Sequence, residues 1–144
     1  MKYHINEGSI QLPHAFDDRT MQVLIPEGSG VGFNLVITRD PLEPGETPSG
    51  YLNRQMDDLR RQVTKYQETL REPVHLGSKS QGIEGVCLEV HYKQQGKFLY
   101  HRQGVFALPN HKQMLTLTAS SAAMFTEAQR HAWSAIVASF ELRG

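Results

Sequence analysis

The chain has one cysteine, Cys87, in 144 residues, so no internal disulfide can form. Nothing in its cysteine usage calls for an oxidising compartment. No apolar run approaches the ~18 residues needed to span a bilayer. The N-terminal MKYHINEGSIQLP lacks both the apolar stretch of a signal peptide and a lipidation cysteine. The expectation is a cytoplasmic protein without stable membrane insertion. Charge of one sign is also missing: fifteen basic residues balance fifteen acidic ones. That argues against a broad nucleic-acid or anionic-lipid footprint, which needs a surplus of Lys and Arg. Repeats, low-complexity tracts and linkers are absent as well, so residues 1–144 read as one domain, long enough for a real core.

Catalytic signatures are equally scarce. The glycines of GSGVG are followed by strand-like FNLVITRD. A phosphate-binding loop needs a helix N-terminus at that place, so a hairpin loop is the better reading. The seven histidines contain no HxxxH or HxH pair, and zinc sites usually announce themselves by close ligand pairs. His91 and His101, on the strands flanking Gln95-Gly96, keep one metal option open. Cys87 in VCLEV reads as a small buried hydrophobe. Ser120-Ser121 lack the glycines of a nucleophile elbow. Asp57-Asp58 and Asp17-Asp18 are sequence neighbours that need not share a proton. The expectation is a binding protein rather than an enzyme, with no catalytic residue, cofactor or metal.

What is present is strand alternation interrupted by two helical patterns. GSIQLP, TMQVLIP and GFNLVITRD read as strands. DPLEPGETPSG is a loop ending in Thr47-Pro48, an N-cap followed by proline in the first helical turn. A helix is predicted from there to about Leu70, before Pro73. PVHLGSKS, EGVCLEVHYK, KFLYHRQGVFAL and KQMLTLTAS follow as strands, with turns at Gln95-Gly96 and Pro109-Asn110. Thr126-Glu127-Ala128-Gln129 has the form of a capping box, and Ala132, Ile136 and Phe140 give its helix an apolar face. The predicted fold class is α+β: a twisted, mainly antiparallel sheet with two helices packed on it.

Several strands carry apolar residues on both faces. Met21, Val23 and Ile25 alternate with Gln22 and Leu24, and Phe33, Leu35 and Ile37 alternate with Asn34, Val36 and Thr38. Leu99, His101 and Gln103 share a face if no bulge intervenes. In YLNRQMDDLRRQV, Leu52, Met56, Leu59 and Val63 form a helical stripe with Gln55 and Gln62 at its edge. The stripe is either a closed core seam or the wall of a groove, and pattern alone leaves both open. A glutamine in an apolar groove can both donate to and accept from a docked backbone.

The order of IQLP, QVLIP, LVITRD, YLNRQMDDLRRQV and GKFLYHRQGVF resembles the Eag chaperones of bacterial type VI secretion systems, of the DcrB-like group with a PsbP-like fold. The resemblance runs from about Tyr3 to Phe140 and is carried by LVITRD, Arg54-Gln55 and Arg102-Gln103. It implies a chaperone and adaptor that shields the N-terminal transmembrane helices of a toxic effector and promotes loading onto the secretion spike. The family is often homodimeric. Carried onto this chain, the apolar contacts are Met21, Val23, Val36, Leu59, Val63 and Leu99, with Gln55 and Gln103 bonding the bound helices. His101 departs from the pattern, standing where an apolar residue is expected, and gains charge at low pH. The alternative is a homodimeric assembly subunit of the same fold, its apolar face closed by self-association.

Overall fold

The computed structural model describes residues 1–28, 30–78, 82–109 and 113–142. Strands β1 (Lys2–Ile5) and β2 (Gly8–Gln11) form a separate hairpin. A six-stranded sheet comprises β3 (Gln22–Leu24), β4 (Asn34–Pro41), β5 (Thr64–Leu76), β6 (Ile83–Gln94), β7 (Lys97–Ala107) and β8 (Gln113–Ser121). Its order is β3-β4-β8-β7-β6-β5, with every neighbouring pair antiparallel. Helices α1 (Pro48–Gln62) and α2 (Glu127–Ala138) complete the α+β fold.

The helix starts are those the sequence signals. Thr47 caps α1, its hydroxyl accepting from the Gly50 N–H at 3.0 Å, with proline in the first turn. Thr126 and Gln129 cap α2 reciprocally, a complete capping box. Gln95 and Gly96 both have positive φ, which two-residue hairpin turns of the favoured hand require. Asn110 of the second expected turn lies outside the described residues.

Two boundaries differ from the sequence reading. Helix α1 ends at Gln62 rather than near Leu70, and Val63 is already extended at φ −128°. Val63, Thr64, Tyr66 and Thr69 fit a pleated strand at least as well as a helix, and β6 offers a ladder from Lys93 onward. PVHLGSKS is therefore not a separate strand. Its first residues finish β5, which ends at Leu76.

Each helix covers one face of the sheet. Trp133 and Val137 of α2 pack on Leu35, Cys87, Phe106, Leu115, Leu117 and Ala119. Tyr51, Leu52 and Met56 of α1 pack on Leu88, Val90, Val105 and Met114. On the α2 face, Glu89 accepts from Arg130 at 2.8 and 3.0 Å and from Arg102, whose guanidinium lies 4.8 Å from the Trp133 ring. Burial would raise the Glu89 pKa, but the two arginine hydrogen bonds outweigh it and hold the carboxyl below the usual range. Cys87 is 1% exposed and burial pushes its thiol up to about 11, in keeping with a small hydrophobe.

Gly85 and Gly104 flank the Phe106 ring on neighbouring strands, where a side chain has no room. A Cβ at Gly85 would lie 2.3 Å from both the Val105 carbonyl oxygen and Phe106 Cδ1. We expect Gly85→Ala to lower stability by about 1–3 kcal/mol, as overpacking does. The measurement is a fall in the urea midpoint at unchanged m-value.

Candidate functional site

The α1 face of the sheet is only partly covered: α1 packs on Leu88 and Val90 of β6, Val105 of β7 and Met114 of β8, and its Tyr51 reaches β4. Its position is fixed at several points. The Tyr51 hydroxyl donates to Asp40 of β4 at 2.7 Å, and Arg54 holds Glu46 of the preceding loop at 2.8 and 2.9 Å. Burial and the adjacent Asp40 carboxylate both push the Tyr51 pKa up, so this phenol stays a donor. Further along, Met56 Sδ receives Tyr66 Oη at 3.2 Å and lies 3.9 Å from the Gln103 amide nitrogen. Beyond these contacts, Val23 of β3 and Val36 of β4 stand outside the cluster that α1 buries.

Strand register shows which side chains share this open trough. One row crosses it as Val23, Val36, Thr118 and Gln103, and then runs under α1 to Leu88. A second row holds Asn34, Ser120, His101 and Val90. A third holds Thr38, Thr116 and Val105. Strand β7 pairs without a bulge from Lys97 to Ala107, so Leu99, His101 and Gln103 do share the face, as the alternation predicts.

Of the sequence-selected positions, Val23, Val36, Leu99 and Gln103 thus lie on one face. Met21 immediately precedes β3, and Gln55 and Leu59 are half-buried on α1. A cavity of about 110 Å³ brings Gln55, Gln103, Thr38, Thr116 and Thr118 together beside Met56. Val63 is corrected: it follows the helix and cannot continue the Leu59 stripe, because the chain has turned into β5 by then. The metal option is corrected too. His91 pairs with Tyr100 and His101 with Val90, one register step apart, so the two imidazoles point to opposite faces. No group of three or more His, Cys, Asp or Glu able to hold a metal occurs among the described residues.

The rim and the floor differ in chemistry. At the β3 rim, Met21, Val23 and Ile25 are 56%, 54% and 70% exposed. The floor is more polar than the sequence reading expected, with Asn34, Thr38, Thr116, Thr118, Ser120, His101 and Gln103 around Val36. Thr118 was not singled out from the sequence, and Ser120 was considered only as a nucleophile and set aside. The signal was there: in MLTLTAS, Thr116, Thr118 and Ser120 alternate with Leu115, Leu117 and Ala119. His101 has its Nε2 3.2 Å from the Tyr92 hydroxyl.

With this geometry in place, similarity to known proteins can be stated. The sequence model of the DcrB family matches residues 7–139, and the chain belongs to that family. No curated protein matches it. Among solved structures, the fold is similar to PA94 from Pseudomonas aeruginosa, a protein of unknown function. The TM-score is 0.73 at 20% identity, over 100% of this chain and 97% of that one. No helix among the described residues is long and apolar enough to cross a membrane.

Burial lowers the His101 pKa below its ordinary 6.5. As pH falls through 6.5, the unfolded chain takes a proton that folded His101 still refuses, so stability drops in that window. We expect His101→Leu to remove this component, by at most about 1.4 kcal/mol per pH unit. Urea unfolding at pH 7.5 and pH 5.5 measures it: the wild type should lose more stability between the two than the variant.

Proposed function

We propose that the chain is a chaperone and adaptor that shields an apolar helical segment of a client protein in the trough beside α1. The observation that carries this reading is the β3 rim. Met21, Val23 and Ile25 are more than half exposed next to a row that leads through Val36 to Gln103. An unpaired transmembrane segment of ~20 residues is strongly driven to bury its apolar surface, at roughly 25 cal/mol per Å². A trough with an apolar rim and glutamine donors can hold such a segment until a bilayer competes for it.

The client class rests on the likeness of LVITRD, Arg54-Gln55 and Arg102-Gln103 to the Eag chaperones. On that basis the client is a secreted type VI effector with N-terminal transmembrane helices, which the chaperone delivers to the secretion spike through the effector. The role is binding without catalysis, cofactor or metal, and its place is the cytoplasm.

A second reading is favoured by one observation. Leu24 is 50% exposed on the opposite face of β3, and Ile5, Ile10 and Phe16 of the N-terminal arm are 48%, 49% and 52% exposed. These lie outside the trough and suit self-association into a homodimer, either as the chaperone's own assembly or as a structural subunit without a client.

Leu59→Arg and Gln103→Glu should each abolish co-purification of the client from the native bacterium, while circular dichroism and melting stay close to wild type. Retention of the client by both folded variants would remove the trough from the mechanism. Light scattering of the pure protein tests the second reading: a dimer that binds no apolar helical peptide supports the structural subunit.

A further inference from the structure

The sheet has a second concave site, on the face opposite the trough. Glu89 and His91 of β6 stand beside Arg102 and Tyr100 of β7, all turned to the α2 side. They floor a cavity of about 550 Å³, within the roughly 300–1,000 Å³ of ligand-binding clefts. One wall is β5, through Leu70 and Glu72. The other is α2, where Glu127, Arg130, His131 and Ser134 share one face at i, i+3, i+4 and i+7. The core contacts of α2, Trp133 and Val137, lie on the adjacent stripe.

Charge in this cavity is unbalanced. Three carboxylates and two guanidinium groups line it. Glu89 accepts from both arginines, and Arg130 also donates to Glu127 at 3.0 Å. Glu72 has only Arg102 Nη2, at 3.9 Å and so beyond hydrogen-bond reach, and its side chain is 50% exposed. One negative charge is thus unmatched at the β5 wall. An anionic ligand would add to that surplus, and Arg102 Nε, which has no partner, is closed to solvent. The other end of the cavity is apolar in character. The Tyr100 and His91 rings lie 5.2 Å apart without a hydrogen bond to the described residues, and Met124 is 71% exposed. Glu72 pairs with Cys87, four residues along β6 from His91, so the two ends are roughly 13 Å apart.

We propose that this cavity docks an extended segment of a partner protein, with an arginine on Glu72 and a large apolar side chain, four residues away, on Tyr100, His91 and Met124. The site is separate from the trough and independent of what the trough holds. Complementary charge selects a cation at the Glu72 end. A guanidinium takes both oxygens of a carboxylate at once, where an ammonium acts as a point charge. An extended chain advances about 3.3 Å per residue and returns to the same face at every second position, which places the apolar partner at i+4.

The test uses the full-length protein and a short fluorescent peptide with arginine and leucine four residues apart. A second peptide replaces the arginine by citrulline, which keeps the shape and removes the charge. We expect the arginine peptide to bind about tenfold tighter by anisotropy, the fold-change one charge-assisted contact supplies. Glu72→Gln should erase that preference, and Ser134→Trp, which fills the cavity and leaves Glu72 in place, should weaken both peptides about tenfold. Circular dichroism checks that each variant is folded, and either one alone suffices if the other unfolds. Equal affinity of the wild type for the two peptides, or binding of neither, overturns the proposal. An arginine preference that survives in a folded Glu72→Gln variant overturns the assignment to this cavity. Free n-butylguanidinium binding as tightly as the arginine peptide overturns the choice of a protein segment as occupant.

Discussion

Everything at the trough depends on the unbroken two-residue alternation of β7. Adjacent residues on this strand serve opposite faces: Arg102 joins the Glu89–Arg130 network under α2, and Gln103 reaches the floor beside α1. A single inserted residue would exchange them. It would put an arginine on the trough floor and strand Glu89 with one partner fewer, and breaking a buried pair typically costs about 3–5 kcal/mol. The ionic network therefore holds the register on which the floor depends. The aromatic face of Trp133 beneath Arg102 tightens the arrangement further, since a guanidinium both stacks and bonds in fixed directions.

The second constraint is the placement of α1. A helix centred on this sheet would close the core and leave no trough. Three attachments hold it in place: Tyr51 to Asp40 of β4, Arg54 to Glu46 of the preceding loop, and Met56 to Tyr66 of β5. Two of these use residues beyond the apolar stripe, so stripe periodicity alone does not fix where the helix sits. The strand β5 that follows directly from α1 pairs with β6 at the far edge of the sheet and anchors the helix on that side. The open side is thereby the β3 side, the shortest strand and the most exposed apolar rim.

Much of the fold was legible because local signals agreed with tertiary ones. Both helix caps, the Gln95-Gly96 turn and the alternation in GFNLVITRD and KFLYHRQGVFAL are short-range chemistry that needs no partner. The 63–70 segment was misread because its residues are compatible with a helix until β6 offers a ladder. Gln103, Thr118 and Ser120 could each be placed on a face of their own strand from sequence, yet not beside one another, because cross-strand pairing depends on strand order β4-β8-β7. That His91 and His101 face opposite sides of the sheet followed from the same register. Sequence showed them flanking one turn, whereas their partners, Tyr100 and Val90, decide the face.

Under the proposed shielding role, the polar floor bears on how a client would be released. A uniformly apolar trough would compete with lipid on equal terms, since both offer only apolar contact. A floor with hydroxyls and amides adds directional bonds, worth about 0.5–1.5 kcal/mol each when made and about 1–3 kcal/mol against the complex when a facing group leaves them dry. Under the proposed shielding role, affinity would be set by a few directional contacts with this floor as well as by apolar area.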